Sequence, residues 1–247
     1  KLDPKTIVLI NADDLNLDKL EKYFKGKVVK FGKKNIKNIK TKGLEGSSFD
    51  LTINNIRLTI NLPLPGLYHI YDALAALSCA YHLNLPIQKL SDSLTNFQPA
   101  FGRFEKLPFG YIFLIKNPAG ATQVFETIAP QIKPNDRLLL ALNDNLADGT
   151  DVSWIWDADF EQLSLRAKRG NLVYVSGTRV YDLAVRLKYA GFDPKSMIVE
   201  NDLRKALGEA KQDLKGRLFI LPTYTAMLEL QSILAKSVIK KHYWEES

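Results

Sequence analysis

The second half of this chain alternates apolar strand segments with helical segments, and no other feature of the sequence limits the possible folds as strongly. Five strand–helix pairs follow one another after Gly102. The predicted strands are residues 111–115, 137–142, 172–175, 197–199 and 217–221. The predicted helices are residues 121–132, 157–168, 179–189, 202–212 and 223–235. Because such pairs share a core when the strands run parallel and the helices cover both faces, the pattern predicts a doubly wound, mainly parallel α/β sheet.

The first hundred residues have a mixed pattern that predicts a smaller α/β region. The predicted elements are strands at residues 6–10 and 28–31, a hairpin over residues 49–62, and helices over residues 15–24, 71–83 and 90–97. The hairpin is predicted from alternating apolar residues on either side of a turn at Asn54-Asn55. We therefore place a domain boundary near Pro99, between domains of residues 1–99 and 100–247.

The composition is that of an ordinary globular protein. Of 247 residues, 46% are hydrophobic and 25% are charged, and no apolar run reaches the length of a membrane-spanning helix. The chain starts without the apolar core of a signal peptide. The single cysteine, Cys79, excludes an internal disulfide and a cysteine-based zinc site, and its Ala-rich surroundings predict a small core residue. These features favour the cytoplasm and predict no transmembrane segment.

The net charge of +7 has its main source in one lysine-rich segment. The lysines concerned are Lys25, Lys27, Lys30, Lys33, Lys34, Lys37, Lys40 and Lys42. A basic run of this kind can bind nucleic acid or phosphate. This one lacks interleaved arginines and stacking aromatic residues, so we interpret it as the solvated edge of a sheet and predict no nucleic-acid partner.

Three carboxylates follow the predicted strand at residues 137–142. Asp144, Asp148 and Asp151 lie in a loop that also contains Gly149. In open α/β sheets, functional residues collect outside the carboxyl ends of the strands, and a group of like charges there indicates a cation, a base or a partner. Asp and Gly also form turns readily, so an Asp-rich turn without a function explains the same pattern. Local chemistry leaves both interpretations open.

Several motifs of known chemistry are missing from the 247 residues. There is no Gly-x-x-x-x-Gly-Lys-Ser/Thr phosphate loop, no Gly-x-Gly-x-x-Gly after a strand, and no Ser or Cys nucleophile beside a histidine. The three histidines, His69, His82 and His242, are far apart in sequence, and we expect each to be structural or exposed.

Seven segments, in the same order, resemble one known family. They are residues 11–14, 66–76, 101–105, 116–120, 143–160, 176–191 and 221–228. Together they resemble MurT, the Mur ligase-like subunit of lipid II isoglutaminyl synthase. The resemblance is dense in the second half and thinner in the first. It implies the last part of a Mur ligase central domain, with α/β structure and a hairpin, followed by a Rossmann-like C-terminal domain.

The resemblance also implies a function. In that family the MurT subunit uses ATP and Mg²⁺ to activate the α-carboxylate of D-glutamate in the peptidoglycan stem peptide as an acyl phosphate. A glutaminase partner, GatD, supplies the ammonia that displaces phosphate. The chain is accordingly predicted to be part of a carbon–nitrogen ligase, with lipid II as substrate and peripheral membrane association through it.

Site residues follow from the family motifs. Asp151, with Asp148 as the second candidate, is predicted to complete the Cys–His pair of the glutaminase, whereas a helix cap is the alternative role for Asp151. Arg103, Lys116 and Asn117 are predicted nucleotide contacts. Two asparagines that contact adenine in the family are replaced here by His69 and Asp72, which the resemblance places at the base-contact positions.

Two further departures from the family affect these predictions. Without a phosphate loop the chain cannot bind ATP as the family does, so we interpret it as a fragment that is inactive as a ligase by itself. Residues 33–48 lie where relatives often carry a four-cysteine zinc ribbon, and they contain no Cys, so we predict no zinc.

Some roles and alternatives remain. One of Trp154 and Trp156 is expected in the core and the other at an interface, and Arg179 and Arg186 are expected to be solvated helix charges. Tyr224 is expected either to help dock the partner or to be buried. The chain is alternatively a non-catalytic module that docks the glutaminase, or part of another Mur-like ligase of the folylpolyglutamate or cyanophycin type.

Overall fold

The computed structural model describes residues 3–99, 102–167 and 171–236. Contacts between Cα atoms divide the chain into two compact units, Lys1–Gln98 and Pro99–Ser247. Within the described ranges, no helix is long and apolar enough to cross a membrane.

The first unit begins with a parallel pair of strands joined through a short helix. Strand β1 spans Ile7–Asn11, helix α1 spans Leu15–Leu20 and strand β2 spans Lys27–Phe31. The register places Ile7 opposite Lys27 and Asn11 opposite Phe31. Both strands therefore end at the same edge, where Asp13 accepts a hydrogen bond of 2.6 Å from the backbone N–H of Lys33.

A three-stranded antiparallel sheet follows. Its strands are β3 (Ile36–Thr41), β4 (Ser47–Ile53) and β5 (Ile56–Leu62), in the order β3-β4-β5. The hairpin prediction is confirmed, because β4 and β5 pair on either side of Asn54, whose φ of 51° suits a tight turn. Strand β3 was not predicted as a separate strand, because only the first of its six residues is buried and the strand has no apolar alternation. Its exposed Lys37 and Lys40 lie on the edge strand.

Helices α2 (Leu67–His82) and α3 (Ile87–Ser93) complete the first unit. Ile70, Leu74 and Leu77 are buried on α2 at helical spacing. The prediction that Cys79 is a core residue is wrong, because its side chain is exposed. It lies about two and a half turns after Ile70 and so on the opposite face of the helix.

The second unit contains a six-stranded sheet with helices between its strands. In chain order its strands are β6 (Glu105–Leu107), β7 (Gly110–Ile112), β8 (Arg137–Ala141), β9 (Val173–Ser176), β10 (Met197–Val199) and β11 (Leu218–Pro222). Its helices are α4 (Pro118–Ile128), α5 (Glu161–Arg166), α6 (Val180–Tyr189), α7 (Leu203–Lys211) and α8 (Tyr224–Lys236). The strand order is β10-β9-β8-β11-β7-β6.

This sheet confirms the predicted doubly wound, mainly parallel class. Strands β7 to β11 are parallel, and β6 alone runs antiparallel to its neighbour β7. Helices α7 and α8 pack with Leu139, Ala141 and Ile220 in one apolar cluster. Leu138 and Leu140 are also buried although they point to the opposite face. A central strand buried on both sides requires helices on both faces, which explains its continuous apolar sequence.

The segment after β8 differs from the predicted helix over residues 157–168. Ser153–Trp156 forms a 3-10 turn, and the α-helix α5 begins only at Glu161. The carbonyls of Ile155 and Ala158 accept hydrogen bonds from the guanidinium of Arg186, so they are occupied by a side chain from α6. The predicted end of the helix, residue 168, lies outside the described residues.

Candidate functional site

Three adjacent strands of the second unit end at one edge of the sheet. Strands β9, β8 and β11 are neighbours, and they run parallel. The segments that follow them are residues 142–152, 177–179 and 223–225. Because parallel strands place all their carboxyl ends together, these three segments meet, and hydrogen bonds between them hold the Asp-rich loop in place.

Asn143 is the buried residue that joins the three segments. Its backbone N–H donates to Thr223 Oγ1 at 2.9 Å, and its Oδ1 accepts from the N–H of Thr178 at 3.0 Å. Its Nδ2 donates to Thr225 Oγ1 at 3.0 Å. The sequence placed Asn143 within a family motif, but its joining role depends on two segments far away along the chain.

Gly177 allows the segments after β8 and β9 to approach closely. Its φ is 99°, a value that L residues other than glycine rarely adopt. A Cβ atom at this position would lie 2.4 Å from the carbonyl oxygen of Leu142 and 2.7 Å from Asn143 Oδ1. The glycine is therefore required by both the backbone conformation and the space.

Asp148 holds the loop to the first turn of α8. Its Oδ1 accepts from the backbone N–H of Thr225 at 2.8 Å, and its Oδ2 accepts from the Thr225 hydroxyl. Asn145 Nδ2 donates to the same hydroxyl oxygen at 2.8 Å. A carboxylate that accepts an N–H from the first helical turn acts as a helix cap and interacts favourably with the helix dipole.

Asp144 pairs with the segment after β9. Its Oδ1 accepts from the Thr178 hydroxyl at 2.8 Å, and its Oδ2 lies 3.2 Å from Arg179 Nη1. The Thr178 hydroxyl and the Arg179 guanidinium lower the pKa of Asp144 below its ordinary 3.8. Arg179 also pairs with Asp182 at 2.7 Å, and these two acids raise the pKa of the guanidinium.

Asp151 is exposed, and among the described residues it accepts hydrogen bonds only from its own turn. Its Oδ1 accepts from the backbone N–H of Ser153 at 2.8 Å. This N–H, together with the Ser153 side chain, holds the pKa of the Asp151 carboxyl below its ordinary 3.8. The side chain is therefore a carboxylate at neutral pH. The three loop acids thus have separate partners and do not form one cluster.

A groove lies beside Asp151. It has a volume of about 470 Å³ and runs between the loop after β8 and the outer side of α6. Its lining includes Asp151, Trp156, Arg179, Tyr181, Asp182 and Val185. Trp156 is 52% exposed and Tyr181 69% exposed, so the walls present aromatic surface to solvent. Trp154 is only partly exposed, so the Trp exposed at the groove is Trp156.

Arg186 lies behind this groove, and the prediction that it is a solvated charge is wrong. The residue is only 4% exposed. Its guanidinium makes two hydrogen bonds of 2.9 Å to the carboxylate of Glu161, which lower the pKa of Glu161. Arg179 is partly exposed and paired with two acids, so it too differs from a free surface charge.

The predicted nucleotide contacts of the second unit are on its surface. Arg103 and Lys116 are exposed, and Lys116 Nζ lies 5.9 Å from the centre of the Tyr224 ring. Asn117 precedes α4 and caps it, because its Oδ1 accepts from the backbone N–H of Gly120 at 2.8 Å. The cap gives Asn117 a structural role whatever else it contacts.

His69 and Asp72, the residues at the adenine-contact positions of the family, face each other on α2. His69 Nδ1 lies 3.5 Å from Asp72 Oδ2. The His69 residue is 8% exposed, and its Nε2 is buried without a hydrogen-bond partner in the structure. An asparagine offers one acceptor and two donors from one amide, and the imidazole does not reproduce that set. This arrangement therefore does not fit the base contact made by the family's asparagines.

No grouping of three or more His, Cys, Asp or Glu side chains suited to a metal ion occurs within residues 3–99, 102–167 and 171–236. The hydrogen bonds that join the ends of β8, β9 and β11, and the groove beside exposed Asp151, make this edge the candidate functional site.

Two family models match the chain in consecutive segments. The model for the Mur ligase middle domain matches residues 1–80, and the model for the MurT ligase C-terminal domain matches residues 114–227. The second match includes every strand of the parallel sheet after β7 and the whole Asp-rich loop.

Curated relatives agree with these models. The chain is 37% identical to the MurT subunit of lipid II isoglutaminyl synthase (glutamine-hydrolyzing) from Streptococcus pneumoniae, over 78% of this chain and 44% of the relative. The identity to the Staphylococcus aureus subunit of the same name is 34%, over 78% of this chain and 45% of the relative. The chain thus spans less than half the length of these relatives.

Solved structures are similar in fold. A folylpolyglutamate synthase from Mycobacterium tuberculosis, complexed with ADP and AMPPCP, superposes with a TM-score of 0.68 at 17% identity, over 96% of this chain and 56% of that one. MurF from Acinetobacter baumannii superposes with a TM-score of 0.70 at 15% identity, over 97% of this chain and 53% of that one. At these identities the similarity concerns the fold alone. The family models match a Mur ligase middle domain followed by a MurT C-terminal domain, and the curated MurT relatives are 34% and 37% identical to this chain. The chain therefore belongs to the MurT family of Mur ligase-like proteins.

Proposed function

We propose that this chain is part of a subunit of lipid II isoglutaminyl synthase, and that Asp151 completes the active site of a glutaminase partner of the GatD type. The observation that carries the proposal is the state of Asp151. It is exposed beside a groove, and its pKa is lowered by the turn that holds it. The relatives of this chain in Streptococcus pneumoniae and Staphylococcus aureus are named as subunits of a glutamine-hydrolyzing synthase.

The chemistry requires a carboxylate of this kind. In a Cys–His pair, a third group orients the imidazole and stabilises the imidazolium that forms during the reaction. That group must be ionised and must be reachable by the second protein. Asp148, the second candidate, is engaged in capping α8, which makes it the less suitable of the two.

We assign the ligase reaction to the complete synthase subunit, of which this chain is proposed to be a part. In such a synthase, ATP with Mg²⁺ activates the D-glutamate α-carboxylate of the lipid II stem peptide as an acyl phosphate, and ammonia displaces phosphate. Arg103, Lys116 and Asn117 are proposed nucleotide contacts. The chain contains no phosphate loop, and His69 faces Asp72, so its own residues do not form a complete ATP site. We expect this chain alone to be inactive as a ligase. We further propose a cytoplasmic protein that meets the membrane through its substrate.

The test is to purify the chain with a candidate glutaminase and to measure glutamine hydrolysis by the complex. Asp151→Asn keeps the size of the side chain but removes its charge, and we expect hydrolysis to fall about 100-fold or more, as expected for a lost triad member. Asp193→Asn is the matched control, since exposed Asp193 accepts the N–H of Lys195 at 3.0 Å in the same kind of turn. Unchanged hydrolysis in Asp151→Asn contradicts the proposal.

A second candidate function is a docking module that binds the glutaminase and takes no part in nucleotide binding. The pairing of buried His69 with exposed Asp72, at positions where the family has asparagines, favours it. Thermal unfolding of this chain with and without ATP and Mg²⁺ separates the two functions. Stabilisation by millimolar ATP indicates a residual nucleotide site, whereas no stabilisation together with tight glutaminase binding indicates docking.

A further inference from the structure

Arg186 uses its guanidinium to hold the segment that carries the candidate site. Nε donates to the carbonyl of Ile155 at 2.9 Å, and Nη2 donates to the carbonyl of Ala158 at 2.8 Å. Nη1 and Nη2 each donate to the Glu161 carboxylate at 2.9 Å. One buried side chain of α6 therefore contacts three positions between the 3-10 turn and the start of α5.

The same guanidinium supports the aromatic wall of the groove. Arg186 Cζ lies 5.5 Å from the centre of the Trp156 ring and 5.2 Å from that of Phe160. Trp156 also meets the Tyr189 ring edge-on at 5.7 Å. The planar fork of arginine can donate to several acceptors and stack on rings at once, and a lysine ammonium cannot reproduce this geometry.

A short covalent path connects this support to Asp151. The carbonyl of Ile155 belongs to the turn Ser153–Trp156, and the Ser153 N–H that begins this turn donates to Asp151 Oδ1. If the turn shifts, the donor that orients the carboxylate shifts with it. Arg186 itself does not line the groove, since the lining residues from α6 are Tyr181, Asp182 and Val185.

We infer that Arg186 is the positioning residue for Asp151: it fixes the turn Ser153–Trp156 and thereby the direction in which the carboxylate is presented to the glutaminase. The inference rests on the proposed function. A buried guanidinium that satisfies two backbone carbonyls outside any α-helix stabilises the conformation of that segment, because those carbonyls would otherwise be buried without a hydrogen-bond donor.

The test combines Arg186→Lys with Asp151→Asn in the complex of this chain with the glutaminase. Misplacement of a catalytic group by about 1 Å lowers turnover up to 100-fold, so we expect kcat for glutamine hydrolysis to fall about 10- to 100-fold in Arg186→Lys. Since Arg186 acts through Asp151, we expect no further loss when Arg186→Lys is added to Asp151→Asn. Lys188→Met, an exposed cation on the same helix, is the matched control and should leave kcat unchanged.

Two measurements separate positioning from a general loss of structure. The affinity for the glutaminase and the KM for glutamine should change less than kcat, and near-ultraviolet circular dichroism should report a changed tryptophan environment. If Arg186→Lys does not fold, Glu161→Gln replaces it, because it weakens the orientation of Arg186 while leaving the two carbonyl bonds in place. We expect a smaller fall in kcat, again absent in the Asp151→Asn background.

The outcomes are distinguishable. If Asp151→Asn alone leaves hydrolysis unchanged, the proposed function is wrong, and this inference with it. If Asp151→Asn lowers kcat but the Arg186 or Glu161 change lowers it by the same factor with and without Asp151, only the inference is wrong. An unchanged kcat in a folded Arg186→Lys variant also overturns it.

Discussion

Asp136 immediately precedes strand β8 and Asp151 lies in the loop that follows it, and these two aspartates at opposite ends of the strand are held in opposite ways. At the amino ends of the parallel strands, which we call the amino edge, Asp136 is 3% exposed and pairs with Arg217 at 2.7 Å. It also accepts backbone N–H groups of Lys133 and Arg217, each at 2.8 Å. At the carboxyl edge, Asp151 is exposed and accepts hydrogen bonds only from its own turn among the contacts found in the described chain.

The difference separates an acid that joins strands inside the unit from an acid whose carboxylate is exposed to solvent. Asp136 precedes β8 and Arg217 precedes β11, so their ion pair joins neighbouring strands where the sheet begins. Every partner it needs comes from within the unit. Asp151 keeps its charge through local hydrogen bonds, and its side chain is exposed to solvent. A carboxylate held in this manner contributes little to stability and can serve a second protein.

The largest expected effect tests the amino edge. Asp136→Ala removes a buried carboxylate and leaves two N–H donors and Arg217 without their acceptor. We expect the free energy of unfolding to fall by about 3 kcal/mol, measured by urea denaturation. Asp151→Ala should lower it much less, because the exposed carboxylate accepts only from its own turn among the described residues. If the two losses are equal, the contrast between the edges is wrong.

The next effect tests how closely the segments at the carboxyl edge approach. Gly177→Ala places a Cβ atom on a left-handed backbone, where it clashes with the carbonyl oxygen of Leu142. We expect the free energy of unfolding to fall by about 2–3 kcal/mol. Gly149 has a φ of 90° but no atom within 4 Å of a built Cβ, so Gly149→Ala should cost about 1 kcal/mol. Urea denaturation of both variants measures the difference. Equal losses would show that space at Gly177 is not limiting.

A smaller effect distinguishes Asp148 from Asp151 at the same edge. Asp148→Ala removes the carboxylate that caps α8, and we expect a loss of about 1 kcal/mol in the free energy of unfolding. In the glutaminase complex, its kcat should stay near that of the unchanged protein once the fraction folded is taken into account. A large fall in kcat at full folding would instead make Asp148 the carboxylate given to the partner.

The smallest effect concerns pH. Because the folded pKa of Asp144 is lowered from 3.8, chiefly by the Thr178 hydroxyl and then by Arg179, its contribution to stability is present above that pH. The contribution is lost as the pH falls through the folded pKa. The stability difference between the unchanged protein and Asp144→Asn should therefore be found at neutral pH and vanish in acid. Chemical denaturation across this range measures it, and a difference that grows in acid contradicts it.

Much of the fold could be predicted from local pattern. Alternating apolar residues gave the β4–β5 hairpin, and continuous apolar runs gave the five parallel strands, because strand and helix periods are properties of neighbouring residues. Strand β6 has three residues and pairs antiparallel at the sheet edge, so it offered no period to detect. The helix predicted over residues 157–168 forms only from Glu161, and just before it the carbonyls of Ile155 and Ala158 accept from the distant Arg186.

The candidate site, like the fold, could be predicted from the sequence only in part. The sequence by itself determined that acids follow β8 and, through its family motifs, that Asp151 and Asp148 are the candidates. Only the tertiary structure decided that Asp148 caps α8, that Asp144 pairs with Arg179, and that Arg186 is buried rather than solvated. The physical reason is that the partners of a charged side chain come from segments 25 to 77 residues away along the chain. Residue type states which bonds a side chain can make, and the packing of the strands determines which of them it does make.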